Sequence, residues 1–430
     1  MSRLHPHRAF WVVATTMVTV LFSSAAPSPL YPVYQQLWGF SSFTLTGVFA
    51  IYVVTMLLSL LSVGSLSDHI GRRPVLAIAL TLLIASMVLF LVADGVPLLM
   101  AARALQGLAT GAAIGTLTAT VIDTQPSPRL GSAISGAGPS AGLAAGVLVA
   151  GILVEYAPAP RFLIYELILA AYAVLLIVLL IVPETSEQRG FTSRRHALRT
   201  VAPSASLPAE VRHVFWRAAP GFVATWSLGG LFLSLGSSVV ARVFGVGNHA
   251  LVGLVLACFF GAATLTSLLT TGRTSAGKVR YGYPALAAGA VVSLVGVWID
   301  ALPVYIAGSV IAGAGFAMTF LGGLDEVSAV APPAQRGQVF SAVFILSYIA
   351  FSVPAVIAGL VVGTFGLRET VVGYVGYVLA VSLIGGVLSL GRTRAAVRLD
   401  IPAETGSRGD LISCGGTCVD QATAELRGPA

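Results

Sequence analysis

Long apolar runs separated by short polar connectors are the first pattern the chain shows. A hydrocarbon core about 30 Å thick takes about 20 residues of helix at a rise of 1.5 Å each. Twelve runs come near that length: 10–30, 44–66, 75–93, 97–122, 131–154, 162–182, 218–240, 249–271, 283–300, 303–324, 338–362 and 370–391. Lipid offers no partner to an unpaired backbone N–H or C=O, so each run is predicted to be helix. The pattern predicts an all-α polytopic membrane protein of twelve transmembrane helices. A stretch rich in Arg, Ser and Pro divides them, giving six-helix bundles over 1–183 and 218–391, a linker over 184–217 and a polar tail over 392–430.

Composition agrees with the runs. The 430 residues are 56% hydrophobic and only 10% charged, against about 25% charged in soluble domains. A water-facing surface cannot be built from so few charges. The formal net charge of +7 reads as membrane orientation rather than nucleic-acid binding, because the Arg residues lie in connectors. Twenty of the 24 basic residues fall on the side of the two termini, and Arg103 lies within a span. On the other side stand only Arg161, Arg242 and Arg368. Both termini are therefore expected on the cytoplasmic side of a bacterial inner membrane. The first run resembles a signal peptide, with Arg3 and Arg8 before it and Ser24-Ala25-Ala26 near its end. It continues through Leu30 and Tyr31, and its removal would break the repeat below, so it is read as a retained helix. Cys414 and Cys418 form CGGTC in the tail, too few ligands for a structural zinc; no metal site is expected.

The two halves repeat. Pro97 opens the fourth run and Pro303 the tenth, with Gly107 and Gly313 each 10 residues on. The connector 64–74 has a basic counterpart at 272–282. Duplicated halves with a substrate site between them near the midplane are a transporter architecture.

The connector between the second and third runs reads Gly64-Ser65-Leu66-Ser67-Asp68-His69-Ile70-Gly71-Arg72-Arg73-Pro74. The glycines permit a tight turn, Pro74 suits the first turn of a helix, and the arginines can pair with a carboxylate or simply anchor topology. The fourth run carries Arg103-Ala104-Leu105-Gln106-Gly107. A charge within a span costs roughly 2.5–3.5 kcal/mol on insertion scales, so Arg103 either faces protein or water, or snorkels from near the helix start. The fifth run carries Gly138-Pro139-Ser140-Ala141-Gly142, where Pro139 is expected to bend the helix.

These three motifs resemble those of the major facilitator superfamily. In the first, Gly64, Asp68, Gly71, Arg72 and Arg73 match, and His69 replaces an Arg. The resemblance implies two bundles rocking about a central site. It also implies a gate in which a loop Arg pairs with an acid at the end of the fourth helix, here Asp123. The second half carries Ala276 where the loop acid would fall, and Asp325, Glu326 and Arg336 are the gate candidates there, with solvated loop charges as the alternative. The Arg103–Gln106 motif resembles one associated with proton coupling; Glu166 is a further candidate, or an interfacial carboxylate. Gly138, Pro139 and Gly142 resemble the core of an antiporter motif. Tyr31, Gln106, Trp226, Phe232, Phe316 and Tyr348 lie on helices that line the cavity in the family, where they serve either substrate or packing.

The chain has no phosphate-binding loop, zinc-protease motif or nucleophile elbow. The expectation is a non-enzymatic, monomeric secondary transporter without cofactor. The proton gradient is its expected energy source, a small solute and the bilayer its partners, and efflux of an amphiphile its leading activity. Uptake of a sugar or organic acid, or a non-transporting membrane sensor, are the alternatives.

Overall fold

The computed structural model describes residues 5–63, 66–186, 190, 207–332 and 335–399; the side chains of Pro6, Asp68 and residues 390–399 fall outside this description, as do most of the linker and most of the tail, with Cys414 and Cys418. The helices are α1 (Pro6–Ala25), α2 (Tyr31–Trp38), α3 (Ser42–Val63), α4 (Leu66–Ile70), α5 (Arg72–Val92), α6 (Val96–Thr124), α7 (Pro128–Tyr156) and α8 (Leu163–Leu179). They continue with α9 (Ala209–Ser234), α10 (Gly236–Arg242), α11 (His249–Leu269), α12 (Ser275–Trp298), α13 (Leu302–Val330), α14 (Arg336–Phe365) and α15 (Leu367–Leu399).

Each of the twelve apolar runs is largely helical. Among the described residues, ten spans are long and apolar enough to cross a membrane, and the bent pair α9–α10 makes eleven. The sixth run forms α8, with 17 residues, at the short end of what spans a bilayer. α1 and α2 together make the first span, broken by a 3₁₀ turn at Ser28–Leu30 between Pro27 and Tyr31. Proline lacks the N–H that a continuous helix needs, which explains the break. The seventh span bends by 56° between Ser234 and Gly236.

The packing repeats after six spans. α1 packs on α6 and α7, and α9 packs on α13 and α14. α6 also receives α3 and α5, as α13 receives α11 and α12. The two most extensive pairings that join the first six spans to the last are α7 with α11 and α3 with α14. They are each other's counterparts.

One face of the molecule carries Arg72, Asp123, Lys278 and Asp325 and is called the basic face; the opposite face carries Gln35, Glu155, Arg242 and His249. The main apolar core includes Phe49, Val147, Leu231, Val252 and Phe351 and so runs through both sets of spans. A second cluster, including Val211, Phe215, Phe222, Val327, Val339 and Val343, belongs to the basic-face ends of the last six spans alone. The core is thus shared toward the opposite face and divided toward the basic one.

Candidate functional site

At the basic face α4 leads into α5 through Gly71, whose φ of 106° is a backbone setting that glycine adopts without Cβ strain. Arg72 Nε lies 2.6 Å from Asp123 Oδ2 at the end of α6. The N-terminus of α5 meets the carboxylate of Glu184, which accepts from the Arg72 backbone N–H at 2.9 Å and the Arg73 N–H at 3.0 Å. An anion there satisfies two orphan donors and the positive end of the helix dipole. The Arg73 guanidinium donates to the Leu180 carbonyl. Gly64 and the Asp68 side chain lie outside the described residues. Sequence reasoning passed over Glu184, although an acid directly after the sixth run, opposite a pair of arginines, was visible.

The last six spans carry a counterpart. Lys278 Nζ lies 2.8 Å from Asp325 Oδ2, joining the start of α12 to the end of α13. Here Thr274 caps α12 itself, its side chain accepting from the Gly277 N–H. Glu326 is 9% exposed. Arg336 turns to the Ala331 carbonyl at 3.4 Å. The paired ends of the two halves are therefore alike in ion pair and unlike in cap.

Deeper in the first half, Arg103 is 1% exposed. Its Nε donates to the Tyr31 hydroxyl at 3.0 Å, and Nη1 to the Ser24 carbonyl at 3.0 Å and to Gln106 Oε1 at 2.6 Å. The guanidinium carbon stands 4.9 Å from the centre of the Tyr52 ring. Gln106 Nε2 completes the set by donating to the Ser23 carbonyl at 2.9 Å. Hydrogen bonds to a charged group are worth about 1.5–3 kcal/mol each, which offsets an embedding cost of roughly 2.5–3.5 kcal/mol. All the described hydrogen-bond partners of Arg103 are neutral. The guanidinium thus ties α1, α2, α3 and α6 together. Glu166 is not among these partners: it is exposed, on the first turn of α8.

The remaining candidates divide into two groups. Tyr31 and Gln106 belong to the buried Arg103 cluster. Phe232 is buried and stacks on Phe259 with ring centres 4.3 Å apart. Trp226, Phe316 and Tyr348 instead share one aromatic wall. Trp226 meets Tyr348 at 4.7 Å, Phe320 at 5.4 Å and Phe351 at 5.5 Å, edge to face. Phe316 continues the wall beside Phe320, and Phe351 reaches Phe49 of α3. In α7, Pro139 stands inside a continuous helix. A side chain at Gly142 would collide with the Val18 carbonyl of α1, so this face fits α1 backbone to backbone.

Accessibility along the first and seventh spans stops at one depth. Leu21 and Phe22 are partly exposed, then every residue from Ser23 to Pro32 is buried. Pro220, Val223 and Trp226 are partly exposed, then every residue from Ser227 to Val240 is buried. Beyond that depth the two breaks hold each other. The Ser28 hydroxyl donates to the Leu233 carbonyl at 2.9 Å, and the Ser237 hydroxyl to the Ser28 carbonyl at 2.7 Å. The Ser28 carbonyl also accepts from the Tyr31 N–H that closes the 3₁₀ turn, and the two hydroxyls add hydrogen bonds across the spans at their breaks. Arg242 donates to Gln35 Oε1 at 3.1 Å, and His249 Nδ1 lies 3.1 Å from Glu155 Oε2. Next to that contact Gly151 approaches the His249 carbonyl and Gly253 so closely that a Cβ would collide with them. The two sets of spans are closed on each other at the opposite face.

The family profile described as Major Facilitator Superfamily matches residues 13–355. No curated protein sequence matches the chain. Among solved structures, the chain is similar to a POT family transporter in complex with 5-aminolevulinic acid, with a TM-score of 0.71 at 14% identity over 90% of this chain and 97% of that one. The nucleoside transporter NupG, in a point-mutant form, gives a TM-score of 0.67 at 11% identity over 89% of this chain and 100% of the other. The human organic anion transporter MFSD10 (TETRAN) gives 0.63 at 19% identity, covering 90% of this chain and 100% of that one. At these identities the likeness is one of fold.

Proposed function

We propose that this chain, which belongs to the Major Facilitator Superfamily and is a secondary transporter rather than an enzyme, exports a small amphiphilic solute by alternating access, coupled to proton entry. The excess of Arg and Lys on the basic face makes that face cytoplasmic by the positive-inside rule. The conformation is then the inward-facing one, in which solute enters from the cytoplasm along the accessible stripe that ends at Phe22 and Trp226. The first and last six spans act as two bundles that rock about this depth.

The observation that carries the substrate class is the aromatic wall of Trp226, Phe316, Phe320, Tyr348 and Phe351 at the end of the stripe. Flat rings set edge to face offer large apolar area with a few polar edges, which suits an amphiphile better than a polyhydroxylated sugar. The Arg72–Asp123 and Lys278–Asp325 pairs act as the joints that keep each half's basic-face ends rigid during rocking, and Arg103 with Gln106 keeps the opposite half of the first bundle in register. One proton crossing about 100 mV supplies about 2.3 kcal/mol, enough for a roughly fifty-fold gradient of a neutral solute.

The test is transport in proteoliposomes with a panel of aromatic amphiphiles and sugars. Accelerated movement of the amphiphiles under an imposed pH gradient supports the reading. A rate indifferent to the gradient removes the coupling, and transport of sugars alone removes the substrate class.

A further inference from the structure

A single contact on the opposite face combines a charge, a helix end and a titratable ring. Glu155 closes α7, and its Oε2 accepts from the backbone N–H of His249 at 2.7 Å while lying 3.1 Å from Nδ1 of the same residue. His249 is the first residue of α11. A carboxylate from the first six spans thus caps a helix of the last six, at the positive end of its dipole. Below it Gly151 and Gly253 bring α7 and α11 into backbone contact, so separating the residues means separating the halves.

We propose that His249 and Glu155 form a proton-binding latch on the opposite face, closed more firmly when His249 is protonated. Imidazole is the side chain suited to change charge within the range an external medium explores. Neutral imidazole leaves a hydrogen bond; imidazolium leaves an ion pair on the same two atoms. Both side chains are about a quarter to a third exposed (30% and 26%), so solvent limits the gain to that of a surface pair, about two- to fivefold in the ratio of closed to open. The gain is present while the ring carries its second proton and is lost as rising pH removes that proton.

Among the described residues, His249 and Glu155 form an ion pair with each other alone. Asn248 accepts from the Leu251 N–H and stands 3.5 Å from the Tyr156 hydroxyl, which is the other titratable group at the joint. Among the cations of the same face, Arg242 is held by Gln35, Arg161 lies over Trp38 and Phe162, and Arg368 pairs with Asp300. If the face is external, as the proposed orientation has it, external acid holds the protein inward-facing, and a proton bound here from outside is tied to closure of that side. This rests on alternating access but not on the direction or substrate of transport.

Spin labels at Ala157 and Gly247, in the full-length chain with its three cysteines replaced by serine and reconstituted in nanodiscs, read the opening of this face by pulsed electron resonance. The expected result is an open population that grows about two- to fivefold between pH 5.5 and 8, a growth absent in His249→Gln. His249→Lys, which keeps a cation at every pH in this window, should hold the low-pH population at pH 8 and so separates loss of charge from loss of fold. Opening that ignores pH, or whose pH response survives His249→Gln, overturns the latch and leaves alternating access standing. A face that opens under no condition overturns both.

Discussion

Lys278 and Asp325, 2.8 Å apart, repeat in the second half the contact that Arg72 and Asp123 make at 2.6 Å in the first. Each pair joins the start of the third helix of its half to the end of the fourth. The two differ in setting: Arg72 belongs to a turn whose helix is also capped by Glu184, whereas α12 is capped by its own Thr274.

That difference predicts unequal consequences. Glu184→Ala removes the two charge-assisted hydrogen bonds that cap α5, together with those the carboxylate accepts from the Thr185 and Ser186 N–H groups, and should destabilise the protein by about 2 kcal/mol. Thr274→Ala removes one neutral cap and should cost about 1 kcal/mol. Thermal unfolding in one detergent ranks the two, and equal losses would show that Glu184 contributes nothing beyond an ordinary cap.

Arg103→Lys should not replace Arg103. The guanidinium serves three acceptors on two spans, the Tyr31 hydroxyl, the Ser24 carbonyl and Gln106 Oε1, and an ammonium lacks that planar fork. Each buried acceptor left without a donor costs about 1–3 kcal/mol. Both Arg103→Lys and Arg103→Ala are expected to lower stability and transport by tenfold or more. A fully active Lys variant would mean that charge alone matters at this depth.

Trp226→Ala should act on substrate rather than on fold. The ring is partly exposed at the end of the accessible stripe, and its loss should raise the apparent KM for an aromatic substrate about tenfold, equivalent to about 1.4 kcal/mol. Phe232→Ala, in the buried stack on Phe259, should instead lower stability by about 3–5 kcal/mol. An unchanged KM in a well-folded Trp226→Ala protein would remove the aromatic wall from the substrate path.

Gly151→Leu should pry the opposite face apart. The glycine lies against the backbone of His249 and Gly253 across the halves, so a bulky side chain fits only when α7 and α11 separate. Alkylation of a cysteine introduced at Ser237, which hydrogen-bonds Ser28 behind that contact, should rise severalfold. Unchanged labelling would mean that the halves close elsewhere.

Membrane helices declare themselves in sequence because each apolar run must satisfy its own backbone in lipid. Run lengths alone therefore located the helices and most of their limits, although α9 begins at Ala209 and α12 at Ser275, well before the predicted 218 and 283. The tight turn at Gly71 and the partnership of Arg72 with Asp123 were legible too, the first from the glycine's freedom and the second from resemblance. The breaks were only half legible: prolines announced the one at Ser28, whereas Ser234-Leu235-Gly236 contains no residue that forces a 56° bend.

What the chain alone left open was every relation between distant helices. Tyr31, Gln106 and Trp226 all lie on helices expected to line the cavity, yet packing buries the first two around Arg103 and leaves the third beside the stripe. Glu155 and His249 are 94 residues apart and sit in ordinary-looking helix ends. Periodicity in these runs is weak because lipid and protein interior are both apolar, so no hydrophobic face marks which side of a helix meets its neighbours. That choice is made by small residues and hydrogen bonds in three dimensions, and only the folded chain displays it.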